Sequence, residues 1–203
     1  MDVRVLQQRL TAAGHACPAD GALGAMTYAA LLGYASERRL GPAGQALGLA
    51  MAQALPASAI GEGLETAHWI AQACHETGGF RFLTELGDAA HFARYEGQMA
   101  LGDTEPGDGF RYRGRGLFQI TGRWNYRHFG AAIGEPLEDN PNLAAQPGIA
   151  VRLACAFWAE REIGPHARAD DCDAVTRLIN GGLTGLAERR ALTDRLKSIW
   201  GLT

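Results

Sequence analysis

Two carboxylates stand close together in the sequence, on either side of a glycine-rich break. Glu76 closes an apolar run and is followed by Thr77-Gly78-Gly79, and Glu85 comes nine residues later. Cleavage of a glycosidic bond requires two carboxyl groups in unlike surroundings, one to protonate the leaving oxygen and one to act on the other side of the sugar. The spacing therefore predicts a sugar-cleaving enzyme.

The surroundings of the two acids suggest their roles. Glu76 is the predicted general acid, because a carboxyl group beside apolar helix surface loses hydration and stays protonated near neutrality. Glu85 is the predicted general base, since the glycines around it let the chain fold back across a groove. Inversion requires a gap of about 6.5–9.5 Å between the carboxyls, so that water fits. Glu96 is the alternative base.

A second polar run, from Tyr112 to Tyr126, supplies groups suited to binding sugars. Its amides and hydroxyls could bind N-acetyl groups and hold the water: they belong to Gln119, Thr121, Asn125 and Tyr126. In an extended strand Gln119 and Thr121 point to one face, and so do Arg113 and Arg115. The two arginines are expected to fix Glu76 or Glu85 by charge-assisted hydrogen bonds.

Helical periodicity dominates the rest of the chain. The apolar stripe from Ala67 to Cys74 predicts a core helix that stops at Thr77-Gly78-Gly79. Four more helices are predicted: 124–133, one from Pro147 to before Gly164, one capped by Asp171 or Asp173, and 186–199. Residues 92–119 show little helical periodicity, and there we expect loops and a small sheet beside the active site.

The first forty residues form a separate pattern. A helix with Val3, Leu6 and Leu10 inward ends near Gly14, a turn follows, and Thr27 opens a second helix. Gly41-Pro42-Ala43-Gly44 is the predicted linker. This order resembles a small peptidoglycan-binding module, on the residues Leu6-Gln7-Gln8-Arg9-Leu10, Gly14, Asp20-Gly21-x-x-Gly24-x-x-Thr27 and Ala30-Leu31. A helical hairpin that only caps the larger part is the alternative.

Composition excludes several classes of protein. The chain has a net charge of −3 and no basic stripe, so nucleic-acid binding is not expected. No apolar run is long enough to span a bilayer, and the N-terminus lacks the pattern of a signal peptide. The four cysteines are widely spaced, which favours buried free thiols and leaves a disulfide open. His68 and His75 have no third ligand at a metal spacing, so neither metal nor cofactor is expected.

Spaced motifs across 46–203 resemble glycoside hydrolase family 19, the chitinase-like group that includes many bacteriophage endolysins. They are His75-Glu76-Thr77-Gly78-Gly79-Phe80, Glu85, Tyr112-Arg113-Gly114-Arg115-Gly116, Gln119, Thr121, Asn125-Tyr126, Asn140-Pro141 and Ile179-Asn180-Gly181-Gly182. The resemblance implies a mainly α-helical, lysozyme-like fold with two lobes around a cleft. We therefore expect a wall-binding-like module at 1–40 and a catalytic domain at 46–203.

The same resemblance implies roles for single residues. Glu76 is the acid and Glu85 the base of an inverting mechanism, and Thr121 helps to position the water. Sugar-binding residues are expected at Gln119, Asn125, Tyr126, Asn180, Tyr112 and Glu96. Arg189, or Arg190 in a competing alignment, matches an arginine near the acids.

These expectations converge on an endolysin that hydrolyses the β-1,4 bond of bacterial peptidoglycan as a muramidase. We expect a monomer held in the cytoplasm of a host bacterium until release to the wall. A chitinase, a lytic transglycosylase and a non-catalytic wall-binding protein are the alternatives. A zinc amidase lacks its ligand pattern.

Overall fold

The structure, a computed structural model, describes residues 2–202, and this part of the chain is mainly helical. Its α-helices are α1 (Val3–Ala12), α2 (Ala25–Ser36), α3 (Gly41–Ala57), α4 (Leu64–Glu76), α5 (Ala89–Phe92), α6 (Asp108–Arg111), α7 (Arg123–Ile133), α8 (Pro147–Glu160), α9 (Ile163–Arg168), α10 (Cys172–Asn180) and α11 (Leu186–Trp200). Short 3₁₀ turns cover Ala93–Tyr95, Met99–Leu101 and Pro141–Ala145.

The predicted helix ends are confirmed where a capping residue marks them. α4 ends at Glu76, and Thr77 is its C-cap. α7 ends at Ile133, and its C-cap Gly134 adopts a φ of 70° that favours glycine. Of the two candidate caps for α10 the structure uses Asp171, whose carboxylate accepts a hydrogen bond from the Ala174 N–H at 2.9 Å. Capping chemistry thus sets where the site-bearing helices stop.

The predicted linker at 41–44 is wrong, because these residues form the first turn of α3. Proline is tolerated there, since the N–H it lacks would have no partner in the first turn. Further along α3, a Cβ on Gly48 would lie 2.4 Å from the Ala25 carbonyl oxygen. Glycine therefore lets α3 pack directly on the backbone of α2.

The first two helices share a hydrophobic core with the rest of the described chain. Leu6 and Leu10 of α1 and Leu31 of α2 are buried in the same cluster as Leu196 and Trp200 of α11. Arg9 also donates to the Ile199 carbonyl, at 3.3 Å. The N-terminal helices are therefore packed against the larger unit, and the division between 40 and 46 stays a prediction.

In place of the expected small sheet, the described chain has two isolated bridges centred on Arg115. One joins Thr84 to Arg115 and the other joins Arg115 to Ile120. The pairing stops after one residue because Gly116 and Gln119 adopt positive φ angles, of 84° and 51°, and reverse the chain. Between residues 2 and 202, no helix has both the length and the hydrophobicity needed to cross a bilayer.

Candidate active site

Glu76 is held at the end of α4 by an arginine from α11. The Arg189 guanidinium donates to Glu76 Oε1, and it also donates to Gln72 Oε1 and to the Thr184 carbonyl. Arg189 is 1% exposed and Glu76 is 17% exposed, so the ion pair is shielded on the arginine side. Within residues 2–202 no group hydrogen-bonds to Glu76 Oε2, which leaves that oxygen available.

A stripe of polar residues along α4 fixes the helices around Glu76. His68 contacts Asp170 at 2.9 Å, and Gln72 donates to the Thr176 hydroxyl at 3.2 Å. Asp170 lies two residues before α10 and Thr176 lies within it, so both contacts join α4 to this part of the chain. Asn180 is the last residue of α10, one turn beyond Thr176.

The chain turns sharply after Glu76. The Thr77 hydroxyl donates to the Ala73 carbonyl at 2.6 Å and accepts from the Phe80 N–H at 2.9 Å, so one side chain closes the helix and starts the turn. The segment that follows runs beside 114–116, with the Gly116 N–H donating to the Leu83 carbonyl at 3.0 Å. This path places Glu85 next to the bridge between Thr84 and Arg115.

Glu85 is bound by three donors from two segments. Arg94 donates to Oε1 at 2.8 Å and the Tyr95 hydroxyl donates to Oε1 at 3.2 Å, whereas the Gly114 N–H donates to Oε2 at 3.0 Å. The Glu85 side chain is 24% exposed. Glu85 thus has a polar and partly solvated environment, and Glu76 lies against a buried guanidinium and a core helix. Both carboxylates are paired with an arginine, a buried one for Glu76 and a half-exposed one for Glu85, so the expected difference in their protonation stays a prediction.

Gln119 lies beside Glu85, and Thr121 and Asn125 are hydrogen-bonded to the segment that carries Gln119. A Cβ on Gly114 would lie 2.9 Å from Gln119 Oε1 and 3.0 Å from Glu85 Oε2, so these two oxygens flank the same glycine. The Thr121 hydroxyl donates to the Gln119 carbonyl at 3.2 Å, and Asn125 donates to the Thr121 carbonyl at 2.6 Å. The expected extended strand is absent, because Gln119 is in the left-handed region. A tight turn clusters the three side chains instead.

The structure corrects the expectation for Arg113 and Arg115. Arg115 is buried and donates to the Arg111 carbonyl at 2.9 Å and to the Tyr126 hydroxyl at 2.8 Å, and Arg113 donates to the Phe110 carbonyl at 2.8 Å. Both guanidinium groups therefore stabilise the loop. The arginines that hold the acids are Arg189 and Arg94.

The two tyrosines expected to bind sugar are also buried in the protein. Tyr126 donates to the Arg113 carbonyl at 2.7 Å, and burial raises the pKa of its hydroxyl to about 12. Tyr112 donates to the Glu138 carbonyl at 3.1 Å and is 1% exposed. Their hydroxyls are already used inside the fold, so they shape the 112–126 segment and do not face a substrate.

Glu96 is hydrogen-bonded to the backbone of a neighbouring loop. Its carboxylate accepts from the Gly107 N–H at 3.0 Å and from the Gly109 N–H at 3.1 Å, at the start of α6. The side chain therefore ties two loops together. Of the two candidate bases, Glu85 lies in the polar cluster and Glu96 is engaged by backbone.

The competing alignment of Arg189 and Arg190 is decided by the contacts. Arg190 lies on the exposed side of α11 and donates to Asp173. The sequence did not predict three residues around the acids: Arg94 and Tyr95, which bind Glu85, and Gln72, which binds the Arg189 that holds Glu76. Gln72 had a signal, because it is a polar residue one turn before Glu76 in the mostly apolar run from Ala67 to Cys74. Arg94 and Tyr95 lie where the sequence has no regular period.

The two histidines of α4 have separate surroundings. His68 is paired with Asp170, and burial lowers the pKa of its imidazole more than the Asp170 carboxylate raises it. The Nδ1 of His75 lies 2.9 Å from Glu188 Oε2. Its ring also packs on Gly185, where a Cβ would lie 2.2 Å from the His75 Cε1. Among residues 2–202, no cluster of three His, Cys, Asp or Glu side chains has a geometry suited to a metal ion.

The helical architecture and the two held carboxylates define a glycoside hydrolase with a lysozyme-like fold. The sequence profile described as Chitinase class I matches residues 9–177, so the chain belongs to glycoside hydrolase family 19. The matched range begins within α1 and crosses the region between 40 and 46.

Similar proteins include bacterial and plant members of this family. A glycosyl hydrolase family 19 domain-containing protein of Haemophilus influenzae is 32% identical in an alignment of 154 positions, which covers 62% of this chain and 75% of the relative. An endochitinase of Arabidopsis thaliana is 34% identical over 119 residues, which are 58% of this chain and 40% of that protein. The chain thus spans three quarters of the bacterial relative and less than half of the plant one.

Solved structures agree with this assignment. Chitinase C from Streptomyces griseus superposes with a TM-score of 0.62 at 25% identity, and the match covers 76% of this chain and 69% of the chitinase. The class IV chitinase from Zea mays has a TM-score of 0.63 at 24% identity, covers 87% of this chain and 92% of its own, and supports the fold.

Proposed function

We propose that this glycoside hydrolase is an endolysin of the muramidase type, which hydrolyses the β-1,4 bond between N-acetylmuramic acid and N-acetylglucosamine in peptidoglycan. The observation that carries the catalytic part of the proposal is the separate anchoring of two acids. Glu76 is held by Arg189 from α11, and Glu85 is held by Arg94 and the Gly114 N–H. Different elements thus position the two carboxyls through separate sets of donors.

In the proposed reaction the two acids act on opposite sides of the anomeric carbon. Glu76 donates a proton through Oε2 to the glycosidic oxygen as the bond from carbon to that oxygen breaks. Glu85 accepts a proton from water as the water oxygen bonds to the same carbon. Thr121 helps to orient the water, and Gln119, Asn125 and Asn180 bind the N-acetylated sugars. The product has a reducing end of inverted configuration.

The N-terminal region supports peptidoglycan as the substrate. The N-terminal residues resemble a wall-binding module, and Gln7 of that region donates to Asp20 at 2.8 Å and to Thr27 at 3.0 Å, which orders the turn between α1 and α2. A bound module would raise the local concentration of the enzyme at the wall. We propose that the enzyme stays in the cytoplasm of the host bacterium until it is released to the cell wall, as in phage lysis.

A chitinase is the second candidate, and the similar plant proteins favour it, since they are endochitinases. Both polymers present β-1,4-linked N-acetylglucosamine. The test is a parallel digestion of purified sacculi and of chitin oligosaccharides at equal enzyme concentration. We expect release of soluble fragments from sacculi to be the faster reaction, and turnover of chitin with inert sacculi would refute the endolysin proposal.

Analysis of the sacculus fragments tests the chemistry separately. Mass spectrometry should show reducing ends 18 mass units heavier than anhydro ends, because hydrolysis adds one water. NMR of the first product should show the α-anomer. Anhydro ends would indicate a lytic transglycosylase, which needs no water and therefore no role for Glu85. Binding to sacculi without any cleavage would indicate a wall-binding protein.

A further inference from the structure

The two oxygens of the Glu85 carboxylate accept hydrogen bonds from different numbers of donors. Oε1 receives two side-chain donors, Arg94 at 2.8 Å and the Tyr95 hydroxyl at 3.2 Å, and His91 Nε2 lies 3.9 Å from the same oxygen. Among residues 2–202, only the Gly114 N–H donates to Oε2. A carboxylate oxygen can accept more than one hydrogen bond, so Oε2 keeps acceptor capacity that Oε1 has largely used.

Arg94 and Tyr95 also fix one another. Arg94 donates to the Tyr95 hydroxyl at 3.2 Å, and its guanidinium carbon lies 4.8 Å from the centre of the Tyr95 ring. The Tyr95 ring stacks on the buried ring of Phe92 with centroids 6.1 Å apart. This packing orients the 3₁₀ turn 93–95, so both donors reach Glu85 from a supported position.

We propose that Arg94 and Tyr95 are positioning residues for the base: they occupy Oε1 of Glu85 and so direct Oε2 to the nucleophilic water. This inference rests on the proposed role of Glu85. Oε2 is the oxygen beside Gln119, since both lie about 3 Å from the Cβ position of Gly114. The water is then held between a free lone pair of the base and the polar cluster of Gln119 and Thr121.

The physical consequence is a loss of alignment when Arg94 is removed. Without its guanidinium, Glu85 can rotate about its side-chain torsions, and a displacement of about 1 Å at a reacting group can cost about 10²-fold in rate. Substrate affinity depends on other residues. Removal of Arg94 should therefore lower kcat far more than it changes KM.

The experiment measures kcat and KM on soluble glycan fragments of peptidoglycan for R94M, R94K and Y95F. We expect kcat of R94M to fall about 10²-fold with KM changed less than about threefold. R94K should recover at least tenfold of that loss, because an ammonium still reaches Oε1. Y95F should lose about fivefold, the effect of one hydrogen bond.

The matched control is R152M. Arg152 forms an ion pair with Glu135 whose side-chain exposures, 43% and 25%, match the 48% and 24% of Arg94 and Glu85. R152M should keep wild-type kcat. A kcat of R94M equal to that of R152M, or a KM effect as large as the kcat effect, overturns the proposal.

A parallel E85Q variant separates the two levels of inference. Full activity of E85Q would refute Glu85 as the base, whereas an inactive E85Q with normal R94M would refute only the positioning role. Circular dichroism checks that each variant folds. If R94M does not fold, then Y95F and R94K decide, and wild-type kcat in Y95F overturns the proposal.

Discussion

Replacing Arg189 with methionine should destabilise the protein far more than the same change at the neighbouring Arg190. Arg189 is 1% exposed, and its guanidinium serves Glu76, Gln72 and the Thr184 carbonyl. Methionine keeps much of the apolar stem but offers none of these donors. The change therefore leaves a partly buried carboxylate and a fully buried amide oxygen without their partner.

The expected cost follows from that burial. Breaking a buried ion pair by removing one partner costs about 3–5 kcal/mol. Glu76 keeps 17% exposure, so water can partly solvate its freed carboxylate, and the lower end of about 3 kcal/mol applies. For a chain of this size each kcal/mol shifts the unfolding temperature by about 2–4 °C, which gives a decrease of about 6–12 °C.

Thermal and denaturant unfolding of R189M and R190M measure this difference. Arg190 pairs with Asp173 at the surface, where such a pair contributes about 0–1 kcal/mol, so R190M should unfold within about 4 °C of wild type. The double variant E76Q/R189M should be less destabilised than the sum of the single variants, because the two residues interact directly. Equal unfolding temperatures for R189M and R190M would refute the shielded ion pair.

Three further predictions concern other described residues. Because burial lowers the pKa of His68 below its ordinary 6.5, the folded state binds fewer protons than the unfolded state at acidic pH. The free energy of unfolding, measured in urea titrations, should therefore fall from pH 7.5 to 5.5, and it should fall less steeply in H68Q. Equal slopes for H68Q and wild type would contradict this. G114A should lose most turnover with little change in unfolding temperature, since its Cβ would lie 2.9–3.0 Å from Gln119 and Glu85 oxygens; wild-type kcat would argue against the cluster. Burial raises the thiol pKa of Cys74 and Cys155 to about 12, so a disulfide reagent at pH 8 should modify these two only in denaturant, and fast native modification of either would contradict their burial.

The parts of the fold that local chemistry determines could be predicted from the sequence. The Thr77-Gly78-Gly79 stop placed Glu76 at the end of α4, and the Gly134 stop ended α7, because these residues cap helices through their own backbone and hydroxyl groups. Gly41-Pro42 shows the ambiguity of the same signals. A glycine and a proline can mark a linker or open a helix, and here packing of α3 on α2 decided for the helix.

The geometry of the site depended on contacts that sequence spacing does not encode. Alternation in a strand placed Arg113 and Arg115 toward the acids, but the positive φ of Gln119 replaced the strand with a turn, and Arg115 became buried against Tyr126. Arg94 lies in a short 3₁₀ turn within a stretch that lacks helical periodicity, so no repeating pattern predicts its pairing with Glu85. The family resemblance, by contrast, correctly placed Arg189 near Glu76, because it carried long-range information.

The proposed mechanism assigns different roles to three glutamates, and replacing each in turn is its most direct test. Initial rates of sacculus hydrolysis by E76Q, E85Q and E96Q, at equal concentrations of folded protein, compare two proposed catalytic acids with one that accepts backbone hydrogen bonds. We expect E76Q and E85Q each to lose about 10³-fold or more, and E96Q to stay within about tenfold of wild type. Retention of wild-type rate by E85Q, or a loss in E96Q as deep as that in E76Q, would contradict it.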